Sequence, residues 1–118
     1  MQKTSWEKLE IEKFGDLTKR QMLSGENATL GRWQFAKGAV VPRHSHQAEQ
    51  YTIVVSGSMK FVFDDREVFL SAGDVLFIPS NVPHSAIALE DCVDIDFFAP
   101  RREDWIRGED SYVREKRA

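Results

Sequence analysis

GAVVPRHSHQAEQYTIVVSG, residues 38–57, is the stretch that decides the fold. His44 and His46 stand two apart, so on a strand they point to the same face. Gln50 has the same parity and joins them if the strand runs on without a bulge, which leaves Glu49 on the opposite face. The third and last histidine, His84, follows the turn Pro79-Ser80-Asn81-Val82-Pro83. Neutral imidazole is the commonest protein ligand for zinc, copper, iron and nickel. Three imidazoles and one amide oxygen, with a position left for water, make a catalytic kind of site rather than a closed structural one.

Around this stretch lie short apolar runs split by turn residues. Strands are expected near Lys19–Leu23, Ala28–Ala36, Ala39–His46, Gln50–Ser56, Met59–Asp64, Glu67–Leu70, Asp74–Ile78, His84–Leu89 and Cys92–Phe98. Short strands at nearly regular spacing, without intervening helices, mean an all-β sandwich or barrel. Residues 1–18 read as an N-terminal arm or edge strand, 19–100 as the barrel and 101–118 as a C-terminal segment. In that segment Arg101 to Arg107 suits a short helix with Trp105 and Ile106 on one side. Beyond Gly108 the tail (Arg114, Glu115, Lys116, Arg117) is charged and expected to be frayed or partner-bound.

The 118 residues suit one domain with one core, and a net charge of −3 gives no electrostatic reason to expect nucleic acid. A single cysteine, Cys92, excludes an internal disulfide and fits a reducing compartment. The first twenty residues carry scattered charge and no long apolar run, so neither a signal peptide nor a membrane helix is expected. A soluble, cytoplasmic protein follows. P-loop, dinucleotide and Ser-His-Asp signatures are absent.

The chain resembles a cupin. The first cupin motif is a glycine, five residues, His-x-His, three or four residues, an acid, six residues and a glycine. Gly38, His44, His46, Gln50 and Gly57 match every spacing, with Gln50 in place of the acid. The second motif is a glycine, five residues, Pro-x-Gly, two residues, His, three residues and Asn. GDVLFIPSNVPHSAIA, residues 73–88, fits it with Asn81 for the glycine and Ala88 for the terminal Asn. Asn also tolerates positive φ. The resemblance implies a double-stranded β-helix (cupin, jelly-roll) barrel. It also implies one divalent transition metal (zinc, nickel, iron or manganese) on His44, His46, Gln50 and His84, and a homodimer.

ALEDCVDIDFFAPRREDW, residues 88–105, is similar to the pectin-degradation cupins that linearise 4,5-unsaturated uronate monosaccharides. That subfamily also carries Gln in place of the acid, and its substrate-contacting Asp, Phe and Arg are matched by Asp96, Phe98 and Arg102. Arg102 suits the substrate carboxylate, Asp96 suits proton transfer and Phe98 suits packing against the sugar ring. Periodicity alone points the other way. It puts Val93, Ile95 and Phe97 in the core and Asp94 and Asp96 in solvent, unless the sheet buries both faces. Arg102 sits in a charged run, where Arg101 competes for its role. Rival functions on the same barrel are a metal-dependent dioxygenase, a sugar isomerase or a non-catalytic small-molecule binder. Trp33, Phe35, Tyr51, Phe61, Phe63 and Phe77 are expected to pack, and Cys92 to be a small buried residue. Arg32 and Arg43 are secondary anion-binding candidates.

Overall fold

The computed structural model describes residues 1–114. Its strands are β1 (Glu12–Phe14), β2 (Thr18–Ser24), β3 (Thr29–Phe35), β4 (Val40–His44), β5 (Glu49–Ser56), β6 (Ser58–Phe63), β7 (Glu67–Ser71), β8 (Val75–Ile78), β9 (His84–Ala88) and β10 (Cys92–Ala99). Two short helices follow, α1 (Glu103–Ile106) and α2 (Ser111–Arg114). The strands form two antiparallel sheets in the jelly-roll manner, ordered β1-β2-β3-β10-β5-β8 and β4-β9-β6-β7. All nine expected barrel strands are present, most within a residue or two at each end.

Alternation decides which side chains enter the barrel. On β3, Thr29, Gly31, Trp33 and Phe35 face in. On β5, Gln50, Thr52 and Val54 face in, while Tyr51, Ile53 and Val55 face out. On β10, Cys92, Asp94, Asp96 and Phe98 are buried and Phe97 is exposed. The aspartates are therefore interior, against the expectation from periodicity alone, because apolar side chains occupy the outer face of this sheet. Tyr51 and Phe77 are among them, so their packing, ring on ring with centroids 5.1 Å apart, is on the outer face.

The expected strand Ala39–His46 stops at His44. Between Val41 and His44 its register against β9 shifts by one residue, a bulge at Pro42, which has no N–H to donate. The bulge brings His44 opposite His84. His46 lies in the turn that carries the chain across to β5 in the other sheet. Shared strand parity therefore does not unite His44, His46 and Gln50; the crossover between sheets does. Asn81 has φ 63, the left-handed conformation of the motif glycine, and its N–H donates to the His46 carbonyl at 2.8 Å. Gly57 has φ 77, and a Cβ there would meet the Asp91 carbonyl oxygen at 2.1 Å.

The N-terminal segment is partly an edge strand, since β1 pairs with β2. The C-terminal helix is shorter than expected, and Trp105 is buried while Ile106 is exposed. Neighbouring helical residues do not share a face. From Gly108 as far as Val113 the segment packs instead of fraying: Asp110, Tyr112 and Val113 lie against the barrel. Glu115, Lys116 and Arg117 of the expected charged tail lie outside the described residues.

Arg20 explains that packing. It is fully buried, with Asp110 at 2.7 Å and Glu12 at 3.0 Å. Its guanidinium lies over the rings of Phe14, Trp33 and Trp105, 4.0 Å from the last. One cation thus fastens β1, β3, α1 and α2 together. Arg20→Met should destabilise the fold by about 3 kcal/mol, because it removes the buried cation that pairs with Asp110 and Glu12. Urea unfolding of the variant measures this; an unchanged midpoint would remove Arg20 as the fastener.

Candidate metal centre and pocket

His44 and His84 face each other across β4 and β9, with ring centroids 4.3 Å apart, and His46 comes from the turn at 5.2 Å from His84. One nitrogen from each ring falls within 4.8 Å of the others. Each Nδ1 is held by a carbonyl two residues away: His44 by Pro42 at 2.7 Å, His46 by Ala48 at 2.8 Å and His84 by Val82 at 2.8 Å. Those contacts require Nδ1–H, which leaves the Nε2 lone pairs for a ligand. Burial, with the His84 ring next in importance, lowers His44 to about 3. Burial, then the Arg102 charge, lowers His46 to about 4. His84 is lowered too, again mainly by burial. All three rings are therefore neutral at pH 7, the form that binds metals.

Two further observations fit a cation. His84 Nε2 is buried without a hydrogen-bond partner among the described residues. Gln50 Oε1 lies 3.1 Å from His46 Nε2. The amide's orientation follows from its neighbours: Gln50 Nε2 donates to Thr52 Oγ1 at 2.8 Å, and Thr52 donates to Asp96 Oδ1 at 2.7 Å. Two lone pairs, on Gln50 Oε1 and His46 Nε2, then face each other, an arrangement that a cation between them relieves. The donor set of three imidazoles and an amide oxygen suits a first-row divalent metal.

His44 and His84 open into a cavity of about 340 Å³, counted with its mouth, lined also by Gln50, Asp96, Phe98 and Arg102. Asp96 is fully buried, and desolvation raises it to about 6 against the pull of Thr52. Phe98 packs edge-on to His46 with centroids 5.6 Å apart. Arg102 is almost wholly buried and lies over Phe98 at 4.7 Å, while its rival Arg101 pairs outside with Glu103 at 2.6 Å. The Arg102 N–H donates to Thr29 Oγ1 at 2.9 Å, which turns the side chain inward. Its Nε and Nη2 already form a fork on Asp104, at 2.9 and 2.7 Å. Burial works against its charge, but Asp104 and Tyr112 more than offset that and raise it. The secondary anion-binding candidates stay outside this cavity. Arg43 pairs with Asp64 at an exposed position, and Arg32 reaches Gln21. Burial, with Asp94 next, pushes the Cys92 thiol up to about 12, so it is an inert thiol.

Sequence reasoning gave no role to two lining residues. Tyr112 stacks on His44 at 4.0 Å and accepts hydrogen bonds from Arg102 Nη2 at 2.8 Å and Trp105 Nε1 at 3.2 Å. Its only signal was one aromatic in a charged tail. Asp94 lies on the Asp96 face of β10 and shares the cavity; the signal was the i, i+2 spacing of two acids.

Thr52→Val keeps the shape of the side chain but releases the Gln50 amide. It should weaken divalent-metal binding by about 10–100-fold, the usual cost of losing a group that orients a ligand. Competition with a chromophoric chelator measures this. An unchanged affinity would exclude Gln50 from the ligand set.

The cupin-domain family profile matches residues 31–95, which hold both histidine motifs. An RmlC-like cupin from Shewanella frigidimarina is 36% identical with TM-score 0.80, the match covering 86% of this chain and 93% of that one. KdgF from Halomonas sp. is 28% identical with TM-score 0.79, over 86% and 96% of the two chains. A germin-like protein from Morus alba is 35% identical over 68 residues, and the match spans about a third (32%) of that protein's length. With this profile match, this strand order and three histidines at the motif positions, the chain belongs to the cupin family.

Proposed function

We propose that this cupin opens 4,5-unsaturated uronate monosaccharides to their linear keto form. The observation that carries the proposal is one cavity lined by His44, His84, Asp96, Phe98 and Arg102, with His46 completing the imidazole cluster behind Phe98. The likeness to KdgF, at 28% identity over most of both chains, supports it.

The substrate class offers a carboxylate, an enol-ether double bond and an anomeric hydroxyl. Arg102 meets the carboxylate with the end of its guanidinium that Asp104 leaves available, and Phe98 lies beneath the ring. A divalent metal on His44, His46, Gln50 and His84 would supply Lewis acidity toward a substrate hydroxyl or a water. Asp96 takes the proton of the anomeric hydroxyl as the ring C–O bond breaks, and returns it to the alkene carbon remote from the ring oxygen. One O–H bond is lost and one C–H bond is gained, so no net proton is consumed. An acid near 6 suits both halves of that exchange.

The test is loss of enol-ether ultraviolet absorbance with metal-loaded protein. Asp96→Ala should lower kcat/KM by at least about 100-fold. Arg102→Ala should act mainly on KM, by about tenfold or more, as expected for losing a charged hydrogen bond. Chelated protein should be inactive. No acceleration over the spontaneous reaction, with metal confirmed bound, rejects the uronate reading in favour of another cupin chemistry or a binding role.

We also propose a homodimer through the outer face of the six-stranded sheet. Phe97, Tyr51 and Phe77 stand in one row across β10, β5 and β8, and Ile95, Ile53 and Val75 in the next. With Val55, the exposed members form an apolar patch of roughly 500 Å², at the upper end of what a monomer leaves open. A second copy laid on the same patch buries it symmetrically. Light scattering after size exclusion should give twice the 13.6 kDa chain mass. Tyr51→Glu with Phe77→Glu should give a folded monomer; a monomeric parent protein at micromolar concentration rejects the dimer.

A further inference from the structure

The uronate proposal uses Asp96 and leaves Asp94 without a role, although Asp94 is the more deeply desolvated of the two. Asp94 is 1% exposed, and its Oδ1 is buried with no hydrogen-bond partner among the described residues. It stands two residues from Asp96 on the same inward face of β10, and both carboxyls line the cavity, each acting on the other's protonation. Across the sheet it stands between Trp33 on β3 and Val54 on β5, neither of which titrates. The titratable or charged groups near it are Cys92 and Asp96 on its own strand, His44 and His84 from the facing sheet, and Arg102 and Tyr112 at the mouth. Asp96 receives the Thr52 hydroxyl and feels the Arg102 charge; among the described residues no such donor is seen at Asp94.

We propose that the two carboxyls share one proton at neutral pH, that it resides on Asp94, and that Asp94 is a positioning residue acting through Asp96. The Asp94 O–H donates to Asp96, which stays an ionised acceptor. Two donors, Asp94 and Thr52, then converge on one carboxylate. Thr52, whose O–H donates to Asp96, accepts from Gln50 Nε2, and Gln50 Oε1 is left facing the histidines. Were the proton on Asp96 and donated to Thr52, Thr52 would donate to the amide oxygen, and Gln50 would turn its NH₂ toward the imidazoles. The direction of every bond in this line is thus set at Asp94. Burial raises the Asp94 carboxyl well above the ordinary range, in agreement. A neutral acid also explains how Oδ1 tolerates having no donor, since an unpaired carbonyl-like oxygen costs far less than an unpaired charge.

Infrared difference spectroscopy at pH 7 tests the assignment. The parent protein should show the carbonyl stretch of a protonated acid. Asp94→Asn should remove it, and Asp96→Asn should keep it. The absence of the band, or its survival in Asp94→Asn and loss in Asp96→Asn, overturns the proposal. Folding provides a second readout. The native state holds a proton that the unfolded chain releases above about pH 4, so stability is lost as pH rises. Relative to Asp94→Asn, the folding constant of the parent should fall about tenfold for each pH unit above that point until the native Asp94 itself loses its proton, and then level off; parallel profiles overturn the assignment. If Asp94→Asn does not fold, carboxyl-labelled aspartate NMR on the parent protein should show one aspartic acid still protonated at neutral pH, and none overturns the proposal. These readouts need no substrate, so failure of uronate turnover leaves the assignment standing.

Discussion

The inward face of β5 and β10 is polar, and the rest of the molecule is arranged around that constraint. Gln50, Thr52, Asp94 and Asp96 are buried side by side on adjacent strands. Buried polar groups must satisfy one another or carry a desolvation cost. Register makes this possible by setting Asp96 opposite Thr52 and Phe98 opposite Gln50. The hydrogen bonds run along that ladder from Asp96 through Thr52 to Gln50, beside His46, and two buried side-chain atoms nearby have no partner among the described residues. One is His84 Nε2, where the imidazoles converge, and the other is Asp94 Oδ1. Both lie on the cavity, so the unmet demand sits where chemistry would occur.

Polarity inside leaves apolar side chains outside on the same strands. Tyr51, Ile53 and Phe97 are exposed because the alternation of a strand allows no other place for them once the polar residues face in. The site and the apolar outer face are two consequences of one pattern. The opposite end of the same sheet is closed by other means. There Arg20 ties the N-terminal edge strand to Trp105 and Asp110, and so holds α1 and α2 over the mouth. The position of Tyr112 over His44, and that of Arg102 over Phe98, depends on that fastening.

The barrel was legible in the sequence because short alternating runs and turn residues mark strands independently of what the strands enclose. The histidine spacing was legible too, but parity misassigned the reason for the convergence. Pro42 breaks the register of β4, and the turn after His44 changes sheets, so Gln50 arrives from the opposite wall. Asp96 illustrates a second limit. Its strand alternates correctly, yet nothing local says which face is the interior when the apolar face is the outer one. Tyr112 illustrates a third: the interaction that draws α2 onto the barrel is made by Arg20, ninety residues earlier than Asp110. Long-range ion pairs leave no local pattern.

The amide at Gln50, a departure from the general cupin motif, has a physical logic in this interior. A carboxylate at that position could only accept, so it would compete with Asp96 for the single proton of Thr52 and add a third acid to a dry cavity. An amide donates at one end and accepts at the other. It passes the Thr52 hydroxyl undivided to Asp96 and still turns an oxygen toward the imidazoles. It also leaves the imidazole cluster without a formal negative charge of its own, so a bound cation there would stay more strongly Lewis acidic. The acids are kept together at Asp94 and Asp96, on the cavity wall beside Thr52. A neutral residue at Gln50 thus stands between the acids and the imidazole cluster while keeping the two in hydrogen-bond contact.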